Sequence, residues 1–127
     1  MNDLRITHLI KTISQAIGGF EGRRVSLWGL TYKAGTDDLR DSPSVRLAET
    51  LLKAGAQVPV FDPYLQPGQI AQFGCKPCQT AQESLVGVDA LATLTRCPEF
   101  AAVPAADIIS AISPDYIFDV VGALPQL

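Results

Sequence analysis

No stretch of the chain approaches the roughly 20 consecutive apolar residues needed to cross a bilayer, which argues against a spanning helix. Residues 2–20 are amphipathic, polar on one side, and unlike the unbroken apolar core of a secretion signal, so a cytoplasmic location is expected. Cysteine is scarce: three residues, an odd number at irregular spacing, argue against a disulfide framework. Charge is sparse too, at 18% of residues with a formal net of -3. The Lys and Arg residues are scattered, leaving no basic stripe to displace counterions from a phosphate backbone, and nucleic acid is not an expected partner. His8, the single histidine, makes four potential zinc ligands with Cys75, Cys78 and Cys97. A structural zinc needs them to converge, and they fall on segments expected to lie apart, so no metal is expected. Internal repeats and low-complexity segments are missing as well.

What is present fits one soluble domain: 127 residues, 47% of them hydrophobic. Ile6, Leu9, Ile10, Ile13, Ala16 and Ile17 recur at helical spacing until Gly18-Gly19, giving an N-terminal linker helix over residues 1–20 ahead of a domain over 21–127. Residues 24–30 read as a buried first strand. Ser42-Pro43 supplies an N-cap and a proline at the first helical position. Val45, Ala48, Leu51 and Leu52 form that helix's apolar stripe, and Gly55 its left-handed cap. A second strand spans 57–61, with Pro59 suggesting an edge or a bulge. A short helix at 69–73, a helix at 80–86, a strand at 88–93, a helix at 105–112 and a last strand at 116–121 follow, and residues 125–127 are expected to fray. This alternation predicts an α/β fold. It is a three-layer, Rossmann-like parallel sheet of about five strands with helices on both faces, preceded by the N-terminal helix, and 24–30 is its centre.

In such a sheet the loop after the first strand contributes to ligand binding. Here it contains Gly29 and Gly35 but not the three close glycines of a dinucleotide fingerprint, so NAD is not expected to be held there in the Rossmann manner. It does carry Lys33 and Arg40 ahead of a capped helix start, a combination suited to an anion such as a diphosphate. The residues alone leave a second reading open, in which both cations neutralise Asp37, Asp38 or Asp41 on a solvated surface. That neutralisation also argues against a hard metal ion on the acidic run. A receiver domain is rejected because its acidic pair would belong at the end of the first strand.

Gly29-Leu30-Thr31-Tyr32-Lys33, then Thr36-Asp37-Asp38-Leu39-Arg40-Asp41-Ser42-Pro43 and Phe61-Asp62-Pro63, closely resemble the C-terminal domain of the UDP-glucose/GDP-mannose dehydrogenase family. Asp89-Ala90-Leu91, Leu94-Thr95 and Pro98-Glu99-Phe100 extend the resemblance over roughly residues 20–120, most of a domain. The resemblance implies that Tyr32 and Lys33 contact a UDP-sugar, with Lys33 on its diphosphate. Arg40 would reach an NAD held mainly by an N-terminal domain outside this chain. The whole enzyme would oxidise the sugar C6 alcohol twice, to the carboxylate, through a cysteine thiohemiacetal. The cysteine for that step lies in a preceding domain of the family and nothing here matches it, so this chain alone is expected to be inactive. The partners implied are a UDP- or GDP-sugar, the remaining domains of the dehydrogenase and a second copy in a homodimer. Two departures stand out. Arg96-Cys97 replaces Glu-Trp, and Val121, within Asp119-Val120-Val121-Gly122, stands where the family carries a second UDP-binding arginine. That second departure keeps an alternative in view, a stand-alone binding or oligomerisation module without chemistry.

Overall fold

The computed structural model describes residues 3–31 and 42–127. Helix α1 (Asp3–Ile17) leads into strand β1 (Val25–Trp28), helix α2 (Pro43–Lys53), β2 (Pro59–Phe61), α3 (Pro67–Ala71) and β3 (Lys76–Cys78). Then come α4 (Ala81–Ser84), β4 (Ala90–Thr93), α5 (Pro98–Ala101), α6 (Ala105–Ala111), a 3-10 turn (Pro114–Tyr116) and β5 (Ile117–Asp119). The five strands form one sheet in the order β3-β2-β1-β4-β5, every pair parallel, with β1 in the middle as its composition predicts.

The central strands alternate sides because successive residues of a strand point to opposite faces. Val25 and Leu27 of β1 and Ala90 and Ala92 of β4 enter one apolar cluster with Ile13 of α1, Leu47, Ala48 and Leu51 of α2 and Ile70 of α3. Trp28 and Leu91 point the other way, into a cluster with Leu85, Phe100, Ile108 and Ile112 from the α4–α6 side. Helices therefore cover both faces, which is why β1 and β4 read as continuous apolar runs rather than as alternating ones. Ile13 is fully buried in the first cluster, so α1 packs onto the same body as the sheet.

Local signals placed α2 accurately. Ser42 is its N-cap, with the hydroxyl accepting from the Val45 N–H, and Pro43 opens the helix. Gly55 follows its end at φ +94°. Three expectations need correction. Pro59 is neither at an edge nor at a bulge: β2 is interior, and the proline is tolerated as its first residue, the β1 pairing resuming at Leu27↔Val60 beyond an isolated bridge at Arg24↔Gln57. The stretch Cys75-Lys76-Pro77-Cys78, to which the sequence reading assigns no strand, carries edge strand β3. Lys76 donates to the Val58 carbonyl at 2.9 Å, so by alternation Pro77 turns its missing N–H to the open side. Residues 125–127 do not fray: the Gln126 side chain donates to the Phe100 and Val103 carbonyls at 3.0 and 2.9 Å.

Candidate functional site

The strand order reverses at β1, with β2 on one side and β4 on the other, so a crevice opens beyond the carboxyl ends of β1 and β4. The segment after β1 is fixed at its base by contacts from three elements. The Leu30 N–H donates to Asp62 Oδ2 at 2.9 Å, and the Tyr64 N–H donates to Asp62 Oδ1 at 2.9 Å. The Ser42 hydroxyl donates to the Leu30 carbonyl, joining the two ends of the segment. Thr95, just beyond β4, donates its hydroxyl to the Thr31 carbonyl at 2.7 Å. Whatever the segment 32–41 presents is thus launched from a clamped base on the switch point.

Asp62 is 5% exposed, and burial pushes its carboxyl above the usual value of 3.8 although the backbone N–H groups of Leu30, Tyr64 and Thr31 pull the other way. It is a structural anchor rather than a proton donor to a ligand, because both oxygens are occupied by the chain. Gly29 is required for a related reason. Its φ is +94°, its N–H donates to the Phe61 carbonyl at 3.0 Å, and a Cβ there would lie 3.0 Å from Thr95 Cβ and 3.3 Å from the Phe100 ring. That glycine serves packing, not the approach of a pyrophosphate, and the residues around β1 do not fit a dinucleotide bound in the Rossmann manner.

On the β2 side, the Tyr64 hydroxyl donates to Glu99 Oε1 at 2.8 Å and links the β2 loop to α5. That bond, with lesser contributions from desolvation and charge, holds the phenol up at about 12. Beneath it Trp28, Phe61 and Phe100 pack with ring centroids 5.6–5.8 Å apart, and Trp28 Nε1 donates to the Ser84 hydroxyl at 2.8 Å. On the β5 side, Asp119 accepts from the Thr93 hydroxyl at 2.7 Å and from the Ala123 and Leu124 N–H groups at 2.7 and 2.9 Å, folding the tail back over the sheet.

Tyr32, Lys33 and Arg40 lie outside the described residues; the structure gives their anchorage at Leu30, Thr31 and Ser42. Val121 is half-buried against the second apolar cluster, where it contributes packing. Sequence reasoning gave Asp62 a place in a motif without its role, because its partner lies 32 residues away. It missed the Thr95 contact, 64 residues long, altogether. The cysteines are buried. Burial first, then the Glu49 carboxylate, pushes the Cys75 thiol up to about 11. Burial likewise raises Cys97 to about 11 and is the main cause of the upward shift of Cys78. No thiol is thus poised as a nucleophile. Among the described residues no group of three or more His, Cys, Asp or Glu residues is arranged to hold a metal, and no helix is long and apolar enough to cross a membrane.

Comparison with known proteins gives a match to the UDP-glucose/GDP-mannose dehydrogenase family, UDP binding domain, over residues 26–126. The UDP-glucose 6-dehydrogenase of Pseudomonas aeruginosa is 36% identical over 100 residues, covering 72% of this chain and 22% of its own length. That of Rickettsia prowazekii is 30% identical over 127 residues, covering 93% of this chain and 28% of its own. The solved UDP-glucose dehydrogenase of the hyperthermophilic archaeon Pyrobaculum islandicum superposes with a TM-score of 0.71 at 28% identity, over 80% of this chain and 24% of that one. The chain therefore spans about a quarter of the length of these proteins.

Proposed function

The chain belongs to the UDP-glucose/GDP-mannose dehydrogenase family, in the part that forms its UDP binding domain, and we propose that it binds the nucleotide-sugar substrate of an NAD-dependent 6-dehydrogenase. The observation that carries this reading is the match over residues 26–126 laid on a sheet whose switch point holds the β1 segment by Asp62, Ser42 and Thr95. Hydrogen bonds to Leu30 and Thr31 fix the chain just before Tyr32 and Lys33, and those to Ser42 fix it just after Asp41. In this reading Lys33 neutralises the diphosphate, Tyr32 lies against the nucleoside or sugar, and residues 21–127 form the binding domain behind the leading helix. Arg40 faces an NAD that other domains of the enzyme hold, and the reaction is two-step oxidation of UDP-glucose or a related UDP- or GDP-sugar to the uronic acid in the cytoplasm. NAD supplies the hydride acceptor when bound; this chain's residues bind and orient the sugar nucleotide.

Calorimetry of the chain with UDP-glucose, UDP-N-acetyl sugars and GDP-mannose tests the proposal. Binding of at least one is expected, and Lys33→Ala should weaken it about 10-fold to 150-fold, the worth of one charge-assisted hydrogen bond. NADH formation by the chain alone is not expected. Absence of binding by all three ligands, or binding indifferent to Lys33, would overturn the assignment.

A further inference from the structure

We draw no further inference here: the strongest candidate, the cleft of about 350 Å³ at the amino-terminal end of the sheet between the end of α1 and the 3-10 turn before β5, is lined by the exposed Arg23–Asp89 pair with Ile17, Ile112 and Tyr116, and nothing in the structure shows what covers it.

Discussion

Replacing Asp62 by alanine removes the acceptor of two backbone donors at once. The Leu30 N–H is buried, so its orphaning costs a full desolvation penalty, about 1–3 kcal/mol; the part-buried Tyr64 N–H can recruit water and costs less. Opposing this, the carboxylate is held above its usual value by burial, so at neutral pH its removal also relieves a desolvated charge. The net is destabilisation of about 2 kcal/mol, or about 8 °C in melting temperature for a domain of this size. Asparagine keeps the shape but sets an amide NH2 against one of the two donors, and should lose about half as much. The pH dependence has a definite sign. A carboxyl whose folded value exceeds 3.8 binds its proton more tightly in the folded state, so its contribution to stability falls as pH rises from 3.8 through the folded value. Asp62→Asn should remove that downward slope. Circular dichroism melts across this range, with UDP-glucose calorimetry at a temperature where the variant is folded, provide the assay. A melting temperature for Asp62→Ala within about 1 °C of wild type would refute the claim that the carboxylate holds the loop base. Unchanged ligand affinity in a destabilised variant would refute the link from loop base to binding.

Gly29→Ala should cost about 2–4 kcal/mol, from a disfavoured positive φ and a Cβ pressed against Thr95 and Phe100, and urea denaturation that finds less than about 1 kcal/mol would contradict the packing argument. Cys75, Cys78 and Cys97 should resist iodoacetamide near neutral pH in the native chain and all react after unfolding, as expected of buried thiols raised by desolvation; rapid native labelling followed by mass spectrometry would show otherwise. Val121→Arg should raise UDP-sugar affinity, since it places a fork of donors beside Gly122, while lowering stability slightly through lost packing; a folded variant that binds no better would refute the correspondence drawn at that position.

The match between sequence and structure follows the range of the interactions. Ser42-Pro43 and Gly55 mark α2 because a cap and a left-handed stop act within a few residues of themselves. The apolar runs of β1 and β4 announce strands covered on both faces, and the alternation of strands with helices dictates a parallel sheet. The family pattern around Lys33 and Arg40 was legible for the same reason: it is contiguous. β3 was not, since three residues with a proline among them show no period and are strand only because the open side of β2 accepts them. Nor was α5, a single turn.

Tertiary structure alone decided what surrounds that loop. Asp62 reaches Leu30 and Thr95 reaches Thr31 only because the chain returns to both sides of β1, bringing residues 32 and 64 positions apart into hydrogen-bond contact. In sequence Val121 is only a missing arginine. Tertiary packing leaves it half-buried against the second apolar cluster. Composition and periodicity act along the chain and so specify elements; which side chains converge on a ligand depends on strand order, set by the burial of both sheet faces at once.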